Sequence, residues 1–256
     1  MTTASRSIPS FSHPRTTDKL LSLIGTDDLQ NKRVLDLGAG AGYFSWKLSE
    51  ELIRRKLDPG SIITPCDLYP ELFELDELRC VKSDFNEPLP FEPATFDVLV
   101  CMEVIEHIPN QLGLWHEMAR VVKPGGRALV TTPNVLNINA RLRYLFNGTM
   151  PLFDMLPIAN NDVVHTTGHI NPISLYYLFF FAKLAGFCDV RFHIDRVKKS
   201  AVVLSPAFFL VAKAVGLAMN LRRRRKPHWR ENTPALAAMN RWQTFVGRTI
   251  IVEAIR

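Results

Sequence analysis

The feature that most constrains the fold is a repeated alternation of short apolar runs and helix-like segments between residues 34 and 133. The apolar runs, such as KRVLDLG at 32–38 and FDVLVCM at 96–102, are continuously apolar and not alternating. Continuous apolar strands are typical of a parallel sheet that helices cover on both faces. We therefore expect an α/β, Rossmann-like fold whose strands end at one edge, where a ligand crevice would lie.

Seven strands and four main helices are predicted. The strands are KRVLDLG, SIITPCD, RCVKSDF, FDVLVCM, RALVTTP, FCDVRFHI and GRTIIVEAI, and residues 123–126 are predicted to form a turn. The helices are predicted at 18–25, 43–56, 109–122 and 173–185. Residues 1–16 are polar and lack the apolar core of a secretory signal, so we expect a loose N-terminal arm before a domain at 17–256.

The segment at 134–172 is polar and has little predicted secondary structure, which favours a functional loop that covers a bound acceptor. It offers many hydrogen-bonding groups, as a sugar or polyhydroxylated substrate would require, although a solvated loop would be polar as well. These groups are on Asn134, Asn137, Asn139, Arg141, Arg143 and Tyr144.

The charge and the cysteines exclude some classes of function. Of the formal net charge of +6, five charges come from residues 222–226 (RRRRK), so the remainder of the chain carries +1. A charge this localised argues against a broad nucleic-acid-binding surface. The four cysteines are widely spaced without a CxxC pair, which argues against a zinc site or a disulfide framework and fits a reducing, cytoplasmic compartment.

A glycine-rich turn follows the first strand, in VLDLGAGAGYFS at 34–45. Gly38, Gly40 and Gly42 allow the backbone to turn tightly against a ligand. Asp36 precedes them, where a carboxylate would repel a pyrophosphate but attract a cationic ligand. Asp67 ends the second strand, placed for a ribose diol, and Asp84 with Phe85 follows the third, where an acceptor and an aromatic face could hold adenine. Together these groups indicate S-adenosylmethionine.

With these motifs the chain resembles the class I S-adenosylmethionine-dependent methyltransferases over residues 34–133. The resemblance is carried by LDLGAGAG, the CD of the second strand, SDF, FDVLVCMEVIEHI and RVVKPGGRALVTTPN. It implies the strand order 3-2-1-4-5-7-6 with an antiparallel last strand. It also implies a cofactor site. In this site the methionine and ribose portion is lined by Asp36, Gly38, Gly40 and Gly42, and Asp67 binds the ribose. Asp84 and Phe85 bind the adenine, and Met102 packs near the cofactor.

The fourth strand runs directly into Glu103, Glu106 and His107, whose spacing would place them on one face of a helical turn. Three interpretations stay open. The acidic residues could simply favour a first helical turn, with His107 packed. His107 could be a general base for an acceptor hydroxyl. The three side chains could also bind a divalent metal, completed by His169 or, as an alternative, His165.

The E-x-x-E-H spacing resembles that of ubiquinone-pathway O-methyltransferases, and the TPN turn with a later histidine resembles small-RNA 2′-O-methyltransferases. This resemblance implies a metal that holds adjacent hydroxyls and lowers their pKa. Mixed carboxylate and imidazole ligands suit manganese, iron or zinc better than magnesium.

A nearly wholly apolar stretch at 201–221 abuts the basic run at 222–226, inside an insertion at 200–240. A helix from Ala207 would reach only about 22 Å, short of the roughly 30 Å hydrocarbon core of a bilayer. We expect it to lie at a membrane interface with Trp229 beside it. The alternatives are a roof over the active site and an RNA contact by the arginines.

We therefore expect methyl transfer to an oxygen of a small or lipid-linked acceptor, such as a quinol, sugar or glycolipid, near the cytoplasmic membrane face. The alternatives are an RNA ribose 2′-O-methyltransferase and a membrane-associated protein that binds the cofactor without catalysis.

Overall fold

The computed structural model describes residues 8–156 and 168–256. Within them lies a seven-stranded sheet of order 3-2-1-4-5-7-6. The strands are β1 (Val34–Leu37), β2 (Ile63–Asp67), β3 (Val81–Lys82), β4 (Phe96–Met102), β5 (Val122–Pro133), β6 (Asp189–Ile194) and β7 (Thr249–Ile255). Strands β1 to β5 pair in parallel, and β7 runs antiparallel to both β5 and β6. The predicted α/β fold is confirmed.

Helices cover both faces of the sheet, and each face carries a buried apolar cluster. The helices are α1 (Pro14–Ile24), α2 (Tyr43–Arg54), α3 (Pro59–Ile62), α4 (Gln111–Val121), α5 (Ile138–Asn147), α6 (Leu175–Leu184), α7 (Lys199–Arg223), α8 (Pro227–Glu231), α9 (Thr233–Met239) and α10 (Trp242–Val246). Because β1 to β5 are parallel, their carboxyl ends lie at one edge of the sheet. The glycine-rich turn that follows β1 lies at this edge.

Two predicted boundaries differ from the structure by a few residues. The predicted turn at 123–126 lies within the bounds of β5 as a bulge, where the pairing with β4 shifts between Val122 and Arg127, Gly125 adopts a φ of 77° and its N–H donates to the carbonyl of Arg256 at 2.8 Å. The second boundary concerns the N-terminal arm. α1 begins at Pro14, where proline suits a first helical turn, and Ile8, Thr16 and Thr17 are buried. Residues 8–16 therefore form an ordered part of the domain.

The prediction that 134–172 has little secondary structure is also wrong in its first part, because α5 occupies it. The side-chain amide of Asn134 donates to the carbonyls of Thr244 and Gly247 at 2.8 and 2.9 Å. Asn137 caps α5 by accepting from the amide of Ala140 at 3.0 Å. These amides hold the backbone together, so we do not assign them to an acceptor.

Three of the four remaining polar side chains predicted for the acceptor also have partners within the protein. Asn139 donates to the Ser200 hydroxyl at 2.8 Å, and the Arg141 guanidinium donates to the carbonyl of Leu136 at 2.7 Å. Arg143 bonds to Thr149 at 2.9 Å. Tyr144 is exposed.

The apolar helix α7 is longer than predicted. It begins at Lys199, not at Ala207, and continues through Pro206. A proline inside a helix leaves the carbonyl four residues earlier without a donor. Here the Ser205 hydroxyl donates to that carbonyl, of Val202, at 3.0 Å. The 25 residues of α7 extend for about 37 Å. Within the described residues, α7 is a helix whose length and composition would allow it to cross a membrane.

Candidate active site

A cavity of about 670 Å³ opens at the carboxyl edge of the sheet. This volume lies in the usual range for small-molecule sites. Its wall includes most residues that the sequence singles out, namely Gly38, Gly40, Asp67, Asp84, Phe85, Met102, Glu103, His107 and His169. Segments that are far apart in the sequence are thus brought together around one space.

The glycine-rich turn forms one wall, and its shape depends on the absence of side chains. Gly38 has a φ of 84°, and a Cβ there would lie 2.1 Å from a methyl carbon of Val104. Asp67 braces the turn, since its carboxylate accepts from the amide of Gly40 and from that of Tyr69, both at 2.9 Å. Both Gly40 and Asp67 also face the cavity, so the turn and the carboxylate predicted for the ribose lie together.

Asp36 and Gly42 are placed differently from the prediction, because neither lines the cavity. Asp36 is buried behind the turn and accepts a hydrogen bond from the Ser45 hydroxyl on α2 at 2.7 Å. Burial raises the pKa of Asp36 to about 7. Gly42 precedes α2 and faces the ring of Phe73. Asp36 ties the turn to α2 from behind the cavity wall, so its direct contact with the ligand stays a prediction.

The other predicted binding residues are on the cavity wall. Asp84 accepts from the amide and the side chain of Asn86, at 2.9 and 3.0 Å, and Phe85 packs partly against the core. The sulfur of Met102 lies 3.3 Å from the Ser12 hydroxyl. The carboxylate, the aromatic face and the thioether therefore surround the space that the glycine turn opens.

Glu103 lies on the cavity wall in an unusual backbone conformation, with a φ of 55°. Its amide bonds to the Thr131 hydroxyl at 3.0 Å, and its carboxylate accepts from the same hydroxyl at 3.3 Å. Burial raises the pKa of Glu103 to about 7. Left-handed backbone at a bulky residue is characteristic of functional sites.

Three other side chains form a compact cluster: Glu106, His107 and His169 offer ligand atoms that lie within 4.8 Å of one another. Glu106 is fully buried, and within residues 8–156 and 168–256 neither carboxyl oxygen makes a hydrogen bond of ordinary geometry, although the Thr132 hydroxyl is close enough to favour the charged form. Burial, and then the charge of Glu103, raise the pKa of Glu106 well above its usual range. Glu103 is outside this cluster, so three of the four predicted metal ligands lie together and the metal itself stays a prediction. The alternative ligand His165 lies outside the described residues.

Both imidazoles of the cluster are neutral donors or acceptors near pH 7. Burial lowers the pKa of His107 and that of His169, and His107 lowers the latter further. Nδ1 of His107 lies 3.0 Å from the carbonyl of Gly168. A carbonyl can only accept, so this nitrogen carries the proton and the lone pair is on Nε2. Nδ1 of His169 makes no hydrogen bond.

Backbone hydrogen bonds hold the later histidine against the strand end. The amides of Ile170 and Asn171 donate to the carbonyl of Glu106 at 3.1 and 3.0 Å. The Gln111 side chain bridges the carbonyls of Ile105 and Asn171, at 3.0 Å each. These hydrogen bonds therefore hold the two chain segments that carry the cluster in a fixed arrangement.

Sequence reasoning missed several wall residues. Arg196 and Arg248 line the cavity, as do residues 9–13 of the N-terminal segment. Arg196 forms an ion pair with buried Asp195. The sequence signals them only by position, since Arg196 follows β6 and Arg248 precedes β7. The end of β6 and the start of β7 both lie at the cavity edge of the sheet.

Comparisons with known proteins agree with this architecture. The family described as a methyltransferase domain matches residues 12–187, which is more than half of the chain. A ubiquinone biosynthesis O-methyltransferase of Xylella fastidiosa is 36% identical over 115 residues, covering 41% of this chain and 44% of the relative. One from Vibrio cholerae is 31% identical over 145 residues, covering 52% and 54%. The chain thus spans about half the length of these curated relatives.

Solved structures share the fold at low identity. A SAM-dependent methyltransferase from Archaeoglobus fulgidus superposes with a TM-score of 0.58 at 17% identity, covering 96% of this chain and 95% of that one. Phosphoethanolamine N-methyltransferase 2 of Haemonchus contortus gives a TM-score of 0.52 at 16% identity, covering 94% and 52%. On the family match, the strand order and the glycine-lined cavity, this chain belongs to the methyltransferase-domain family.

Proposed function

We propose that the protein transfers a methyl group from S-adenosylmethionine to an oxygen of a small, quinol-type acceptor, with a divalent metal at the acceptor side. The observation that carries this proposal is the buried Glu106 carboxyl, which makes no hydrogen bond of ordinary geometry to a described residue and lies beside His107 and His169 on the wall of the glycine-lined cavity. The names of the curated relatives support an oxygen acceptor.

The residues of the cavity fit the methyl donor. A Cβ at Gly38 would collide with Val104, another residue of the cavity wall, so the turn keeps its shape only with glycine there. Asp67 keeps acceptor capacity for a ribose diol beside its two backbone bonds, and Asp84 with Phe85 offers an acceptor and a ring face for adenine. When bound, S-adenosylmethionine supplies a methyl group on a positively charged sulfur. The carboxylates of Asp67 and Glu103 on the cavity wall favour a ligand of that charge.

The cluster fits a divalent metal. A buried, unpaired carboxylate is costly, and a cation beside it removes most of that cost. Glu106, Nε2 of His107 and His169 would supply one carboxylate and two imidazole ligands, a set that suits manganese, iron or zinc. When bound, such an ion lowers the pKa of a hydroxyl group at neutral pH.

The chain's own residues orient the acceptor and exclude water. The imidazoles of His107 and His169 meet edge to face with ring centres 4.8 Å apart, and the ring centre of Phe153 lies 5.2 Å from that of His169. Glu103 can take up a proton near neutral pH, because its pKa is raised to about 7. Holding donor and acceptor in one closed geometry contributes much of the acceleration.

We also propose that the acceptor is linked to a lipid and that the protein works at the cytoplasmic face of a membrane. The exposed apolar side chains of α7 support an encounter with lipid. The free thiols of Cys66, Cys80, Cys101 and Cys188 support a reducing compartment.

The test is turnover of isotope-labelled S-adenosylmethionine with catechols, quinols, sugars, glycolipids and RNA oligonucleotides, each with and without EDTA. We expect labelled methyl ethers of the catechols or quinols, and loss of product in EDTA that manganese or zinc restores. Full activity in EDTA would refute the metal and leave His107 as a general base. Product only on RNA would refute the quinol acceptor, and donor binding without any product would refute catalysis.

A further inference from the structure

The helix α7 carries a feature that methyl transfer does not use: it is apolar around most of its circumference. One narrow stripe contacts the domain. Ala201 and Ser205 are buried, and Phe209, Ala212 and Gly216 are half-buried at helical spacing. Phe209 anchors this stripe, with its ring centre 5.2 Å from Phe245 and 5.3 Å from Trp242. None of the described residues that line the donor cavity belongs to α7, so the roof predicted as an alternative is wrong.

The opposite face of α7 is apolar and exposed. Val203, Leu210 and Leu217 recur every seventh residue, so they lie on one side, and Val203 is 80% exposed and Leu210 70%. Phe146 at the end of α5 is 82% exposed. Large contiguous apolar surface of this kind marks a contact with a partner or a membrane.

The charges around this face select the partner. Residues 196–230 contain ten Lys and Arg and no Asp or Glu. Five of them, at 222–226, follow the apolar part of the helix directly and are exposed. Trp229 folds back onto this end, where its indole N–H donates to the Asn220 side chain at 2.9 Å and its ring lies 5.3 Å from the Arg223 guanidinium. Apolar residues, a tryptophan and clustered arginines together match the interface of an anionic bilayer.

The topology excludes a single crossing by α7. Before it, the amide of Lys198 bonds to the carbonyl of Val246 at 2.8 Å. After it, Ala235 and Ala238 of α9 are buried in the main core cluster. Both ends of α7 therefore return to the same domain, and the helix can engage a bilayer only by lying along its surface.

An apolar groove beside α7 adds to this surface. It has a volume of about 450 Å³ and is lined from α5, α7, α9 and α10 by side chains such as Leu142, Val215, Leu236 and Phe245. Its apolar lining disfavours water and suits a hydrocarbon chain.

We propose that α7, the end of α5 and residues 222–229 form a docking face for an anionic lipid bilayer. The face lies outside the methyl-donor cavity, so docking is separable from methyl transfer and is measured without donor or acceptor. Burial of the apolar side chains retains the protein on the bilayer, and the arginines attract it to the anionic headgroups.

The test is flotation of the full chain with vesicles of phosphatidylcholine alone and of phosphatidylcholine with phosphatidylglycerol. We expect binding to the anionic vesicles that high salt weakens. Replacing Arg222, Arg223, Arg224 and Arg225 with Ala should lower it by at least about tenfold. The double variant Leu210→Glu, Leu217→Glu should lower it by about tenfold or more as well.

The matched control is Ile53→Glu, which changes a 63% exposed apolar side chain on α2, away from this face. It should bind as the wild type does, and all variants should keep the wild-type thermal midpoint. Wild-type protein that stays unbound in low salt, variants that bind equally, or a dimer that covers α7 and binds no vesicle would each overturn the docking face.

Discussion

The two sides of the cavity differ in how their carboxyl groups are satisfied. On the glycine-turn side, Asp36 is bonded to Ser45, and Asp67 to two backbone amides. On the cluster side, neither oxygen of the buried Glu106 carboxyl makes a hydrogen bond of ordinary geometry to any described residue. Native proteins rarely leave buried polar groups unpaired. This difference supports our proposal that the first side is preorganised and that an ion completes the second.

The largest effect should come from Glu106→Gln, which removes a ligand from the cluster. Lewis-acid assistance is worth several kcal/mol, and about 1.4 kcal/mol is tenfold in rate. We expect manganese affinity by titration calorimetry, and metal-dependent activity, to fall by about 100-fold. Donor affinity should stay unchanged.

Glu103→Gln is the matched control, since Glu103 lies outside the cluster. It should keep the metal affinity of the wild type. The metal-free Glu106→Gln protein should unfold at about the same temperature as the wild type or higher, because a neutral amide of similar shape replaces a carboxyl group whose charged form burial disfavours. Equal metal affinity in both variants would contradict the three-ligand site.

The reverse pattern is expected for Gly38→Ala. A side chain at the φ of 84° is strained, at a cost of about 1–2 kcal/mol, and the Cβ would meet Val104 at 2.1 Å. Donor affinity by calorimetry should fall at least about tenfold, with metal affinity retained. Gly125→Ala imposes a similar φ, of 77°, with no atom within 4 Å, so it should cost stability only. Equal donor affinity in both variants would contradict a donor site that depends on the glycine-rich turn.

Asp36 gives a pH dependence on the preorganised side. Its pKa is about 7 in the folded protein, above the ordinary 3.8, so the folded state holds the proton more tightly. The stability this contributes is complete below pH 3.8 and is lost as the pH rises towards 7. Denaturant unfolding should show Asp36→Asn to be less pH-sensitive than the wild type, by up to about 1.4 kcal/mol per pH unit. Identical slopes would contradict the buried, proton-binding Asp36.

The smallest effect should come from Gln111→Ala. It removes the bridge between the carbonyls of Ile105 and Asn171, each bond being worth about 1 kcal/mol. Metal affinity by titration calorimetry should fall a few-fold through looser placement of His169, with donor affinity unchanged. A loss of donor affinity instead would show that the two sides are coupled.

The sequence could predict the parts that one continuous motif encodes. The parallel sheet and the cavity position of Gly38, Asp67, Asp84 and Met102 follow from apolar strands and the residues at their ends, whereas the strand order follows from the resemblance to the methyltransferase family. The side chain of Asp36 could not be placed, because a continuously apolar strand does not show which way one polar side chain points. In the structure it points to the Ser45 hydroxyl, nine residues later on α2.

Features that depend on long-range contacts were beyond sequence reasoning. Residues 8–16 and Arg248 reach the cavity through packing that no local period reveals. The positive φ of Glu103 separates it from Glu106, which spacing alone would put on one face. The sequence predicts too late a start for α7 because a proline such as Pro206 usually ends a helix. The Ser205 hydroxyl replaces the missing backbone donor only in a suitable rotamer, which the sequence does not reveal.

Titration calorimetry of S-adenosylmethionine in EDTA tests most directly whether the glycine-turn side is a donor site complete without metal. We predict saturable one-to-one binding by the wild type, the same affinity in Glu106→Gln, and an affinity at least about tenfold lower in Asp67→Ala. No binding by the wild type, or equal binding by Asp67→Ala, would contradict a donor site built on the glycine turn and Asp67.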